Sequence, residues 1–179
     1  MTCIAAVVHQ GRIVMAGDSA GISGGSKLVV RRDPKVFRNG PFLIGFTTSF
    51  RMGQLLAHAF KPPPVPKRRG ALERYLVVEF VDALRDALSE RGWARTQNGR
   101  EEGGLFLVGV SGRLFRIDSD YQVGESRDGF DAVGCGSEAA RGALFATSHF
   151  KPKARVRLAL QAAERCSAGV RGPFLVLSA

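Results

Sequence analysis

The stretch Thr2-Cys3-Ile4-Ala5-Ala6-Val7-Val8-His9-Gln10-Gly11-Arg12-Ile13-Val14-Met15-Ala16-Gly17-Asp18-Ser19 decides how this chain reads. Residues 2–8 are an apolar run rich in β-branched side chains, His9-Gln10-Gly11 is a tight turn, and residues 12–16 are the returning strand. The chain therefore opens with a β-hairpin whose first strand starts at its second residue. Residues 17–26 are rich in glycine and serine and read as a loop. Short strands are expected at 27–30 and 35–37, around Asp33-Pro34. Asn39-Gly40 signals a turn, and residues 42–47 are apolar enough for a strand buried on both faces.

The period then lengthens. Residues 50–60 fit a helix, which Lys61-Pro62-Pro63-Pro64-Val65-Pro66 ends because proline cannot continue the ladder. Over 71–91, Leu72, Tyr75, Leu76, Phe80, Ala83, Leu84, Ala87 and Leu88 recur at steps of three and four, the buried face of one long amphipathic helix. Residues 92–104 read as a polar loop. Strands are expected at 105–110, 113–117, 121–124 and 130–133. Ser137 is expected to N-cap a helix over 138–149, with Glu138 at its positive end. Lys151-Pro152 separates it from a helix over 153–167, and 174–177 is a closing strand. This order suits one α+β domain, residues 1–179, with helices on the outer faces of two stacked sheets.

Composition narrows the function classes. With 179 residues, 45% apolar and 23% charged, the chain is an ordinary globular one, neither disordered nor fibrous. The three cysteines, Cys3, Cys135 and Cys166, are odd in number and match no zinc spacing, so a reducing cytoplasmic setting without metal or cofactor is expected. No secretory leader and no apolar run of about 20 residues is present, so no membrane role is expected. The net charge of +10 gathers in Arg31-Arg32, Lys67-Arg68-Arg69 and the group Lys151, Lys153, Arg155, Arg157. Such faces can bind phosphate backbones. No helix-turn-helix, finger or aromatic RNA motif accompanies them, so a solvated basic surface is the preferred reading. His9, His58 and His149 are isolated. Cys3 is expected to act as a small buried apolar residue, and Cys135 to fill a tight space in Gly134-Cys135-Gly136.

Chemistry enters at Met1-Thr2. Methionine is normally trimmed before a small residue, and its removal leaves Thr2 with a free α-amine beside its hydroxyl. A hydroxyl needs an adjacent base to become a nucleophile, and an α-amine with a pKa of roughly 7.7–8.0 is one. A lysine near the hydroxyl favours its deprotonated form, and an aspartate beside that lysine keeps the buried charge paired. Asp18 and Lys35 are the candidates. With Met1 attached there is no such amine.

Thr2, Ala16-Gly17-Asp18, Lys35-Val36-Phe37, Leu43-Ile44-Gly45-Phe46 and Ala132-Val133-Gly134-Cys135-Gly136-Ser137 occur in one order. The chain thereby resembles the proteasome β-type N-terminal nucleophile hydrolases, including the HslV peptidases, over nearly its whole length. The resemblance implies a four-layer αββα sandwich of two antiparallel sheets flanked by helices. It implies Thr2 as nucleophile and Asp18 with Lys35 as the charged pair. Thr48 falls where the family has a glycine whose N–H lines the oxyanion hole, and Ser137 matches a serine near the amine. It further implies peptide or unfolded-protein substrates, a ring-shaped homo-oligomer and room for an ATPase partner.

Where proteasome subunits carry a late Asp and Ser, this chain reads Arg165-Cys166-Ser167-Ala168-Gly169, without the Asp. Orientation of the amine is then expected to fall to Ser137 and backbone groups. The resulting function is a threonine-type endopeptidase. The alternatives are a catalytically silent subunit, or a small-molecule amidase or acyl transferase of the same fold.

Overall fold

Strand periodicity sorts the first strand's side chains between two layers. In the computed structural model, which describes residues 1–68, 70–97 and 99–179, Cys3, Ala5 and Val7 join one apolar cluster and Ile4 and Ala6 another. The chain runs β1 (Cys3–His9), β2 (Arg12–Gly17), β3 (Ala20–Ser23), β4 (Lys27–Val30), β5 (Val36–Asn39), β6 (Phe42–Phe46) and α1 (Phe50–His58). Next come α2 (Leu72–Tyr75), a π-helical turn (Leu76–Phe80) and α3 (Val81–Ser89). Then follow β7 (Arg95–Gln97), β8 (Arg100–Glu102), β9 (Phe106–Val110), β10 (Arg113–Ile117), β11 (Val123–Glu125) and β12 (Phe130–Gly134). Helices α4 (Ser137–Ala146) and α5 (Pro152–Cys166) and strand β13 (Leu175–Ser178) complete it.

One sheet has the order β12-β1-β2-β13 and the other β11-β10-β9-β6-β5, all antiparallel. Three apolar layers result. Cys3, Ala5, Val7 and Ala132 pack on Leu144, Val156 and Leu160 of α4 and α5. Ile4, Met15, Val36, Leu43 and Leu107 fill the space between the sheets. Phe42, Ile44 and Phe46 pack on Met52, Leu56 and Phe80 of the other helical layer. The αββα sandwich is therefore the architecture, and the opening hairpin is its centre, with Gln10 and Gly11 both at positive φ in the turn.

Several local expectations need correction. The 17–26 loop holds β3, which folds onto β4 as a ribbon through Gly24 and Gly25 at φ +57° and +78°. The 92–104 loop likewise holds the β7–β8 ribbon, whose charged composition hid it. The long helix is interrupted by a π turn, which adds one residue to a turn and leaves Val77 half-exposed while Leu76 and Phe80 stay buried. Tyr121, at φ +67°, precedes its strand rather than opening it. Gly136, not Ser137, is the N-cap of α4, and Ser137 is its first helical residue, without a side-chain cap bond. Asn98 and Arg69, within the expected loop and basic cluster, lie outside the described residues. No helix among the described residues is long and apolar enough to cross a membrane.

Layer spacing rests on small residues. A Cβ on Gly45 of β6 would stand 2.5 Å from Ile4 Cγ2 and 2.8 Å from Met15 Sδ, in the space between the sheets. Gly45→Val is expected to destabilise the protein by about 1–3 kcal/mol. A lowered urea midpoint at unchanged slope would show it.

Candidate active site

Hairpin register sets the site. Ile4 pairs with Gly17, which brings Thr2 and Cys3 alongside Asp18 at the end of β2. Cys3 N–H donates to Asp18 Oδ1 at 3.0 Å, and Asp18 N–H donates to Cys3 O at 3.3 Å. Lys35 comes from the other sheet, just before β5. It reaches in beside Gly17, where a Cβ would stand 3.5 Å from Lys35 Cβ and 2.9 Å from Val36 Cγ2. Thr48 follows β6, so both sheets contribute.

Lys35 Nζ donates to Thr2 Oγ1 at 2.9 Å and to Asp18 Oδ1 at 2.9 Å. The Lys35 and Asp18 side chains are 0% exposed. Such a pair persists only if its remaining polar atoms are satisfied. Asp18 meets this condition: besides Lys35 and Cys3, it accepts from Ala20 N–H at 2.9 Å and Arg171 N–H at 3.3 Å through Oδ2. Burial holds the Lys35 ammonium below the usual lysine range, opposed by Asp18. The Cys3 thiol is pushed up to about 12, first by burial and then by the Asp18 charge, so it is an inert core group as expected.

Thr48 sits at φ +68°, a left-handed conformation that costs a β-branched residue on the order of 1–2 kcal/mol. Neighbouring bonds hold it there: Leu105 N–H donates to Thr48 Oγ1 at 3.3 Å, and Thr47 N–H and Oγ1 donate to Leu105 O at 3.0 and 2.9 Å. The Thr48 N–H has no acceptor among the described residues. Strain of this kind concentrates at functional sites. Met1, Thr2, Ile22, Phe46, Thr48 and Phe50 line a cleft of about 60 Å³ at this point.

Thr2 N–H donates to Cys135 Sγ at 3.3 Å, and Thr2 Oγ1 donates to the Met1 carbonyl. Four of the expected residues are thus placed around one point: Thr2, Asp18, Lys35 and Thr48. Ser137 is half-buried at the start of α4 and makes no bond to Thr2. Cys135, two residues earlier, makes that contact. The sequence carried a signal for it: at φ +101°, Gly134 has a Cβ position only 2.1 Å from Thr2 O, so a glycine is needed for the loop to run against Thr2.

The basic clusters are partly engaged elsewhere. Arg31 forms a bidentate pair with Asp33 and lies 3.9 Å over the Phe50 ring beside the cleft. Arg155 is buried and donates to Leu144 O at 2.7 Å.

A four-layer αββα sandwich with a threonine at the head of its central strand, bonded to a buried Lys–Asp pair, is the fold of the HslV- and proteasome-like N-terminal nucleophile hydrolases. The solved structures agree. The chain is similar to Thiobacillus denitrificans BPH in complex with epoxomicin, at 25% identity and TM-score 0.80, over 99% of this chain and 98% of that one. It is also similar to the eukaryotic HslV from Trypanosoma brucei, at 23% identity and TM-score 0.70, over 99% and 98%. A third likeness is to an Anbu (Gly-1) mutant from Hyphomicrobium sp. strain MC1, at 18% identity and TM-score 0.67, over 98% and 80%. These HslV-like, proteasome-type neighbours bear out the family resemblance seen in the sequence. No protein-family model matches the chain, and no curated protein matches it.

The buried pair makes a stability prediction. Asp18→Ala leaves Lys35 uncompensated and is expected to cost about 3–5 kcal/mol, whereas adding Lys35→Met should recover part of that loss. Chemical unfolding of both variants measures it; a double variant less stable than Asp18→Ala would contradict the pairing.

Proposed function

We propose that this chain is a threonine-type N-terminal nucleophile peptidase in which Thr2, freed of Met1, attacks a peptide carbonyl. The observation that carries the proposal is the 2.9 Å bond from the buried Lys35 ammonium to Thr2 Oγ1. The Thr2 amine takes the hydroxyl proton as the Oγ1–carbonyl bond forms. Thr48 N–H stabilises the oxyanion, a donor held in place by the hydrogen bonds of Thr47 and Thr48 with Leu105. The amine then gives its proton to the leaving nitrogen, the C–N bond breaks, and an ester to Thr2 remains. Water attacks that ester, the amine again carries the proton, and release of the acid restores Thr2. Lys35 stabilises the developing alkoxide, and Asp18 keeps Lys35 in place. Ser137 has no step in this scheme.

The HslV-like neighbours support a ring-shaped homo-oligomer with room for an ATPase partner, and peptide or unfolded-protein substrates follow from the proposed chemistry. Phe145 (74% exposed) and Val29 (60%) are large apolar surfaces that association would cover. A silent subunit of the same fold is the second reading. It is favoured by Arg165-Cys166-Ser167-Ala168-Gly169, which lacks the late Asp of proteasome subunits.

Intact mass of the purified protein, with and without epoxomicin, separates the two. The epoxyketone closes a ring on both the hydroxyl and the amine of an N-terminal threonine. A species lacking Met1 that gains one probe mass, with no gain in Thr2→Ala, is the expected result. Protein that has lost Met1 yet forms no adduct would favour the silent subunit.

A bell-shaped pH profile is also expected. The amine must be neutral, so kcat/KM rises through its pKa, which for an ordinary α-amine lies at roughly 7.7–8.0. Lys35 must be charged, so activity falls as pH rises through its lowered pKa, before the 10.5 of an ordinary lysine. Initial rates from pH 5 to 10.5 test both limbs, and a rate that kept climbing to the top of this range would contradict the role of Lys35.

A further inference from the structure

The nitrogen of Thr2 is held by an uncharged network. Its centre is Cys135 Sγ, which accepts from Thr2 N–H at 3.3 Å and from Ser167 Oγ–H at 3.2 Å. Ser167 Oγ in turn accepts from Gly169 N–H at 3.3 Å, which leaves its own proton for the sulfur. The Cys135 thiol proton points at Thr2 O, at 3.5 Å. Donors and acceptors along this chain are consistent: the sulfur accepts two bonds and donates one, bridging the N–H and C=O of one residue. No carboxylate takes part.

We propose that Cys135, oriented by Ser167, is the positioning residue for the Thr2 amine, and that the threonine site is consequently controlled by a thiol. This inference rests on the peptidase reading above. A neutral amine has two N–H bonds and one lone pair, and it works as a base only when the lone pair faces the Oγ1 proton. Rotation about N–Cα decides that. One N–H held by Cys135 Sγ fixes the rotation, so the effect is geometric.

The thiol also gives the site a property that a serine in its place would lack. Cys135 is exposed, so its thiolate can displace iodide from iodoacetamide. The S–C bond forms, iodide leaves with the bonding pair, and the thiol proton passes to solvent. The resulting thioether stands where Thr2 N must rotate into place. Cys3 does not compete, being buried with a thiol pKa near 12. Cys166 is exposed and is removed by Cys166→Ser in the parent used for the test.

The experiment compares Cys135→Ala, Cys135→Ser and Ser167→Ala in that parent, by peptide hydrolysis, epoxomicin adduct rate and unfolding. Cys135→Ala is expected to lower kcat about tenfold with KM within about twofold, and Cys135→Ser to recover most of the loss. Ser167→Ala should fall between them. Iodoacetamide should inactivate the parent with one added group on Cys135, and should leave the remaining rate of Cys135→Ser unaltered. Three results would overturn the proposal: an undiminished kcat in folded Cys135→Ala, a folded Cys135→Ser no better than Cys135→Ala, or full activity of parent alkylated at Cys135. A parent that loses Met1 and forms no epoxomicin adduct refutes the peptidase reading and this inference together. An adduct formed equally fast in parent and Cys135→Ala leaves the peptidase standing and removes only the role of Cys135.

Discussion

A lysine ammonium with no exposure to solvent is the constraint on which the rest of the structure depends. Water is the natural partner of such a charge, and the protein has to replace it. Asp18 supplies the countercharge, but a carboxylate in the same place has its own lone pairs to satisfy. The backbone does so, through N–H groups of Cys3, Ala20 and Arg171. These come from β1, from β3 and from the segment before β13. The position of Lys35 is therefore tied to three parts of the chain far apart in sequence. A hydroxyl in contact with Lys35 Nζ inherits that precision without making any of those bonds itself.

The four layers explain how the parts meet. Side chains alternate on β1, so Ile4 faces the other sheet while Cys3 faces α4 and α5. Thr2 comes at the point where the strand leaves both layers. Gly17 and Gly45 keep the sheets close there, because a Cβ at either would strike Ile4. Gly134 does the same from the third side, against Thr2 O. Three glycines with different sequence neighbours thus share one task, letting backbone and side chains converge on the end of β1.

Much of this was legible in the residues. The hairpin, the buried β6 and the amphipathic helices follow from periods of two and of three to four, and the layers follow from their order. Thr2, Asp18 and Lys35 could be named because nucleophile, charge and countercharge are distinctive residue types near strand ends. The ribbons were hidden for a physical reason: β4 is exposed along its length, and β7 and β8 are rich in charge, so neither carries an apolar alternation. The π turn was hidden because one inserted residue leaves the apolar steps at three and four. Ser137 was named from the family resemblance, as the serine near the amine, while Cys135 was expected only to fill a tight space. Backbone geometry decides otherwise, because Gly134 turns residue 135 toward Thr2, while Ser137 has already entered α4.

The two ends of Thr2 meet different electrostatics, and that difference carries a chemical consequence. On the hydroxyl side stand a cation and its paired anion. On the nitrogen side stand a thiol, a hydroxyl and a backbone amide, all neutral. A carboxylate on the nitrogen side would hold the amine protonated by favouring its charged form. With the Lys35 ammonium bonded to Oγ1 and paired to Asp18, the hydroxyl side favours an alkoxide at Oγ1, the state that the proposed attack requires. The chain is strongly basic, yet Arg31, the arginine that reaches the cleft wall at Phe50, is locked to Asp33. Lys35 is thus the cation bonded to the hydroxyl.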